Sequence, residues 1–256
     1  MNKDTSFSSK SRTFKNNIYG TSKGKVREAV MLRDLEHLVS KEPLRILDVG
    51  GGQGQIALEL ASKGHAVTIT DISQEMLDEA KRRAEQLNLL DVEFIHGPLQ
   101  DLDNAISGVY DLVLCHAVFE WLDEPKQALT VLQHFCRPGG NISLMFYNEA
   151  SQKYANLIYG NFEYLDNGLK AKKAVKLNPQ KGLNLETVST WASELNLIET
   201  QRSGVRVFHD YMRDINFWQN RLEDILRYEL EYSTKSPYLE LARYIHCIYK
   251  NEGNES

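Results

Sequence analysis

The chain has 256 residues, 42% hydrophobic and 25% charged, with a net charge of −5. That length suits a single α/β domain spanning residues 1–256, and the acidic balance excludes a protein that coats nucleic acid indiscriminately. No apolar run approaches the roughly 20 residues of a membrane span, Met1–Ser6 has no apolar signal region, and Cys115, Cys136 and Cys247 are scattered, without a CxxC pair; a cytoplasmic chain with no disulfide framework, no metal site and no membrane partner is expected.

Residues 1–22 read as a loosely ordered segment. Between Thr5 and Arg27 lie Lys10, Arg12, Lys15, Lys23, Lys25 and Arg27 with no acid. From Lys23 to Val39 the apolar positions Val26, Val30, Leu32, Leu35, Leu38 and Val39 recur at helical spacing, and Pro43 ends the element. Arg45–Val49 reads as the first strand, Gln53–Lys63 as the helix after a glycine turn, and Ala66–Thr70 as the second strand, closed by Asp71. Ser73 reads as the N-cap of a helix reaching about Leu87. Val92–His96 and Tyr110–His116 are the third and fourth strands. A helix follows from about Pro125 to Phe135, and Arg137-Pro138-Gly139-Gly140 turns the chain into a fifth strand, Asn141–Tyr147.

The pattern then breaks. Residues 148–184 are aromatic, amide-rich and lysine-rich without clean periodicity, an insertion on the substrate side. Leu185–Leu195 reads as helical, Glu199–Phe208 as extended, Asp210–Tyr232 as mixed and mainly helical, and Leu241–Tyr249 as the last strand. The expected fold is α/β, a seven-stranded, mostly parallel sheet with one antiparallel strand and helices on both faces.

The chemistry centres on Asp48-x-Gly50-x-Gly52-x-Gly54, at the end of the first strand, with Asp71 ending the second. Glycines there let the backbone approach a nucleotide-like ligand, and an acid after the second strand accepts hydrogen bonds from ribose hydroxyls, in NAD and S-adenosylmethionine alike. Asp48 discriminates. A carboxylate just before the turn repels a diphosphate but suits the cationic sulfonium and ammonium of S-adenosylmethionine. Gly97-Pro98-Leu99-Gln100-Asp101, Tyr110-Asp111-Leu112-Val113-Leu114 and Arg137-Pro138-Gly139-Gly140 add to this, and together the motifs resemble the Rossmann-like class I methyltransferases.

A narrower resemblance rests on Asn17-Ile18-Tyr19-Gly20-Thr21 with Lys23-Gly24, Phe119-Glu120-Trp121, Leu144–Asn148, Gly160-Asn161-Phe162 with Tyr164, Gly204–Tyr211 and Arg243-Tyr244-Ile245-His246. From about Phe14 to Tyr249 the chain resembles the bacterial tRNA 5-carboxymethoxyuridine methyltransferases, which esterify the carboxylate of a modified wobble uridine. The resemblance implies S-adenosylmethionine as cofactor, tRNA carrying 5-carboxymethoxyuridine as partner, and cofactor roles for Arg27, Gly50, Gly51, Asp71, Leu99, Gln100 and His116, which join Asp48 and Gly52 of the glycine turn in one cofactor set. Within that set Arg27 would hold the cofactor carboxylate, Asp71 the ribose, and Leu99 and Gln100 would border the adenine.

Candidates to grip the acceptor carboxylate are Tyr147, Arg206, His209, Tyr211, Arg243, Tyr244 and His246, with Asn148 beside them. Phe119, Trp121 and Trp191 read as core, although Phe119 or Trp121 could stack on a base. Lys170, Lys172, Lys173, Lys176 and Lys181 are expected to meet the tRNA backbone. A carboxylate is ionised near neutral pH and needs no general base, so a rate profile flat from about pH 6 to 8 is expected. A small or carrier-bound carboxylic acid remains the alternative acceptor.

Overall fold

The structure, a computed structural model, describes residues 21–169, 182–214 and 216–253. Lys10, Arg12, Lys15, the Asn17–Gly20 part of the N-terminal motif, and the five lysines from Lys170 to Lys181 lie outside the described residues.

Thr21 starts helix α1 (Ser22–Val39) by accepting the Gly24 amide on its side chain, and α1 buries Val26, Val30, Met31 and Leu35. Two βα units and a third strand follow: β1 (Arg45–Val49), α2 (Gln55–Ser62), β2 (Ala66–Asp71), α3 (Gln74–Gln86) and β3 (Val92–His96). A 3₁₀ turn (Leu99–Asn104) leads to β4 (Tyr110–His116), and a second (Phe119–Trp121) to α4 (Pro125–Phe135) and β5 (Cys136–Tyr147). The insertion folds into α5 (Glu149–Ile158) and α6 (Phe162–Asp166), and the chain ends with α7 (Leu185–Glu194), β6 (Leu197–Val205), α8 (Phe217–Asn220), α9 (Leu222–Tyr232), α10 (Tyr238–Leu241) and β7 (Tyr244–Asn251).

The seven strands form one sheet in the order β3-β2-β1-β4-β5-β7-β6. β1 to β5 are parallel, whereas β7 runs antiparallel to both β5 and β6. Alternation along each strand divides the core in two. Leu47, Val113, Cys115, Leu144 and Phe146 pack with α4 and α7, while Ile46, Leu112, Leu114 and Met145 pack with α1, α2 and α3.

Several boundaries differ from the sequence reading. Ser73 occupies the N-cap of α3, but its side chain makes no cap bond; Asp71 Oδ1 takes the Ser73 amide instead, at 2.8 Å. β5 begins at Cys136, which pairs with Tyr110, and Arg137–Gly140 lies inside the strand as a register break. β6 stops at Val205 because Arg206 adopts φ +63°, a left-handed conformation that leaves the ladder. β7 starts only at Tyr244, since a helical turn occupies Tyr238–Leu241. The helix α5 was hidden in the sequence because the residues it buries are Ser151 and Gln152.

Candidate active site

A parallel sheet opens its cofactor crevice where strand order reverses; here that point lies between β1 and β4. A cleft of about 1110 Å³, open mouth included, lies at this point, and Arg27, Asp48, Gly50, Gly51, Gly52, Asp71, Leu99, Gln100 and His116 all line it. Every residue that the sequence singled out for the cofactor is thus brought to one place. Ile72, Met76, Val118, Trp121 and Leu122 complete its apolar wall.

The glycine turn fits a closely approaching ligand for steric reasons. Gly50 has φ +67°, and a Cβ there would stand 2.5 Å from a Val118 methyl. A Cβ on Gly51 would stand 2.5 Å from Asp48 Oδ2 and 2.9 Å from Ile69. Asp48 is thus packed under the turn, and burial pushes its carboxyl up to about 7 against the nearby charge of Arg27, with Asp71 adding to the rise. Asp71 receives the Gly52 amide on Oδ2 at 2.9 Å and the Ser73 amide on Oδ1. Burial also raises this carboxyl, and the two amides oppose it. Each carboxylate oxygen has a second lone pair, so Asp71 keeps acceptor capacity for a diol.

His116 ends β4 at the cleft wall, and behind it runs a buried polar relay. His116 Nε2 lies 2.8 Å from Ser143 Oγ, Ser143 Oγ lies 2.8 Å from His246 Nε2, and His246 Nδ1 lies 2.7 Å from Asp34 Oδ2. Burial works to raise the Asp34 carboxyl, but the His246 hydrogen bond and the charge and hydrogen bond of Arg33 overcome it and hold it below the usual carboxylate range. An ionised Asp34 can only accept, so His246 donates from Nδ1. In the arrangement that leaves both buried imidazoles neutral, Ser143 donates to His246 Nε2 and accepts from His116 Nε2–H. His116 Nδ1 then carries the lone pair. Burial, with the charge of Arg27, holds His116 well below the usual imidazole value, so it stays neutral.

Beside the cleft, at the end of β5, lies a cationic and aromatic cluster. Arg243 lies over the Tyr147 ring at 4.4 Å, and Arg206 over the Tyr244 ring at 5.3 Å. Arg206 Nε lies 2.7 Å from Asp210 Oδ2, close in distance though off the hydrogen-bond axis, and Lys23 Nζ stands 3.8 Å from Asp210 Oδ1. Burial acts to raise Asp210, but Arg206, Arg243 and Lys23 hold it low. Burial acts against the Arg243 charge, yet Tyr147, Tyr244 and Asp210 keep it firmly protonated.

Not every predicted grip residue is available. His246 is 1% exposed and sits in the relay beneath α1, away from the cluster. His209 bonds Ser22 Oγ and packs on Trp218, and burial lowers its imidazole to about 4. Tyr211 donates to Leu241 O at 2.7 Å, and Asn148 donates to Glu240 O and Ala242 O. Phe119 and Trp191 join the core, whereas Trp121 lines the cleft.

The sequence reading missed Asp34, Ser143 and Glu120. An acid on the apolar face of α1 and a serine inside a strand buried on both sides were the available signals. Glu120 is 4% exposed and its Oε2 has no hydrogen-bond partner among the described residues. Burial pushes it up to about 7, against the amides of Glu120 and Tyr147 and the charges of Arg27 and Arg243.

This sheet order, with a glycine turn after β1 and an acid after β2, defines a class I S-adenosylmethionine-dependent methyltransferase. A family model described as "Methyltransferase domain" matches residues 46–140. The structure is similar to a magnesium protoporphyrin IX methyltransferase from Synechocystis PCC 6803 with bound S-adenosylmethionine, at a TM-score of 0.61 and 15% identity, covering 96% of this chain and 93% of that one. A plantazolicin methyltransferase in complex with S-adenosylhomocysteine gives a TM-score of 0.60 at 17% identity, covering 96% and 91%. By sequence, the chain is 29% identical over 125 residues to a ubiquinone biosynthesis O-methyltransferase of Acinetobacter baylyi, 49% of this chain and 52% of that protein. It is 39% identical over 247 residues, 95% of each chain, to the tRNA 5-carboxymethoxyuridine methyltransferase of Escherichia coli K12. The chain belongs to the family of tRNA 5-carboxymethoxyuridine methyltransferases.

Proposed function

We propose that the chain methylates the carboxylate of 5-carboxymethoxyuridine at the wobble position of tRNA, and that Arg243 receives that carboxylate. Elimination among the cations and polar groups of the cluster carries the second statement: Asp210 pairs at short range with Arg206 and Lys23, Tyr147 and Tyr244 lend their ring faces to Arg243 and Arg206, Tyr211 and Asn148 are committed to backbone carbonyls, and His209 and His246 are buried elsewhere. Arg243 keeps a buried Nε with no hydrogen-bond partner among the described residues and a guanidinium laid on Tyr147. A planar cation with donors to spare suits a carboxylate.

The cofactor assignment follows the cleft. Arg27 pairs with the methionine carboxylate, Gly50, Gly51 and Gly52 line the methionine portion, Asp48 faces its cationic groups, Asp71 takes the ribose, Leu99 and Gln100 border the adenine, and His116 closes the wall. When bound, S-adenosylmethionine supplies an electrophilic methyl on a cationic sulfur. The acceptor is already ionised, since an ordinary carboxyl group titrates at about 4, so the protein has no proton to remove. Its work is alignment and water exclusion. Arg243 holds one oxygen and leaves the other free to attack, and the Val118, Trp121 and Leu122 wall keeps the site dry, which favours a reaction in which opposite charges cancel.

The test is transfer from methyl-labelled cofactor to tRNA from cells lacking the ester, followed by nucleoside analysis. The label is expected in one modified uridine and should leave as methanol in mild alkali, as an ester does. Alkali-stable label, or label only in a small acid, overturns the assignment. Arg243→Ala should lower transfer about 10- to 100-fold, the loss of a hydrogen bond to a charged group at ~1.5–3 kcal/mol, with cofactor affinity within twofold.

A further inference from the structure

Helix α5 presents its apolar side to solvent. Its buried residues are Ser151 and Gln152, while Tyr154, Leu157 and Ile158, at i, i+3 and i+4, are 39%, 53% and 51% exposed, and Tyr159 and Phe162 beyond them 62% and 59%. Contiguous exposed apolar residues of this kind mark an interaction surface. The face is held firmly by polar bonds from behind. Gln152 donates to Tyr164 Oη and accepts the Gly182 amide, and Asn156 and Asn161 tie the turn between α5 and α6.

The face is continuous with the Arg243 cluster. Tyr159 Oη donates to Asp210 O at 3.1 Å, and the Tyr154 ring meets the Tyr211 ring edge-on at 5.4 Å. On the cluster side stand Lys23, Arg206 and Arg243 with Asp210 among them. In the sequence, five lysines and no acid follow α6 between Asn167 and Leu185. Flat rings beside concentrated positive charge fit a partner that offers both bases and phosphates.

We propose that the Tyr154–Phe162 face is the platform on which unstacked bases of the tRNA anticodon loop rest, Tyr159 and Phe162 stacking on the nucleotides that flank the modified uridine. This rests on tRNA being the acceptor. It supplies what the Arg243 cluster lacks, a means of keeping the loop open while one base is presented.

The double variant Tyr159→Ala/Phe162→Ala changes two exposed side chains, and circular dichroism with cofactor binding checks that it folds. Its KM for tRNA lacking the ester should rise at least tenfold, with kcat and the cofactor KM within twofold. The slope of log KM against log salt should not change, because rings rather than phosphate contacts are lost. Fluorescence anisotropy with a labelled anticodon stem-loop reads the same loss without methyl transfer. An unchanged KM and unchanged stem-loop affinity overturn the platform. So does a wild-type dimer in sedimentation that the variant abolishes while tRNA KM stays intact, since a second copy would then own the face. Stem-loop binding by wild type that the variant loses, with no transfer to tRNA, supports the platform and overturns the acceptor assignment instead.

Discussion

Among single residues, Asp48 carries the most consequence. The sequence marked it through charge logic: an acid before the glycine turn tolerates a cation and repels a diphosphate. Its burial under Gly51, however, depends on the packing of the turn against Ile69, which no spacing reveals. Burial is why its carboxyl sits near 7, and this alters the flat profile expected from the acceptor alone. The charged groups acting on it are Arg27, which favours ionisation, and Asp71, which disfavours it. A cationic ligand binds better to the ionised form, so cofactor affinity should rise as pH goes from about 6 to 7.5, up to tenfold per pH unit, and level off above. kcat at saturating cofactor should stay flat over the same range, because no base titrates and His116 is neutral throughout. Isothermal titration calorimetry across that range, with parallel kcat measurements, checks the split. A one-proton fall in kcat toward low pH would count against a base-free reaction.

At the scale of elements, the strands were the legible part, and β1, β3 and β4 match their sequence boundaries. Buried parallel strands are apolar runs bounded by turn residues, a strong signal. α5 was illegible because its periodicity is inverted, and β6 ends at a backbone conformation of Arg206 that its sequence does not announce. The relay was also illegible, since it joins α1, β4, β5 and β7 through residues up to 212 positions apart. It makes Asp34 a positioning residue for His116. Asp34→Asn can offer an N–H to His246 Nδ1; the relay then reverses, and His116 presents Nδ1–H instead of a lone pair. The ¹⁵N shifts of the His116 ring should exchange their protonated and unprotonated positions. His116 lines the cofactor cleft, so exchanging an acceptor there for a donor should raise cofactor KM about tenfold, the equivalent of one hydrogen bond at ~1.4 kcal/mol, with kcat changing less. Unaltered ring shifts in the variant would show that Asp34 only stabilises the fold.

Over the whole molecule, the sheet separates two tasks that α1 joins. The β1–β4 half forms the cleft wall, and the β5–β7 half with Asp210 forms the Arg243 cluster; α1 contributes Arg27 to the first, Lys23 to the second and Asp34 to the relay between them. The division was readable in outline, as glycines early in the chain and arginines late, with Arg27 already placed at the cofactor; that α1 also reaches the cluster through Lys23 and the relay through Asp34 was not, because neither residue stands in a spacing pattern with its partners. If the tasks are separable, they should respond separately. Cofactor at about 100 times its Kd stabilises the native state by ~2.7 kcal/mol, and for a domain of this size roughly 2–4 °C accompanies each kcal/mol. Wild type should therefore gain about 5–11 °C in Tm by scanning calorimetry. Arg243→Ala should keep that gain, since its side chain lies on Tyr147 beside the cleft. Gly51→Ala should lose most of it at the same cofactor concentration, because its Cβ overlaps Asp48 and Ile69 and forces the turn to move. Equal losses in both variants would mean that donor and acceptor sites are one cooperative unit, and α1, which touches both, would be the element to carry that coupling.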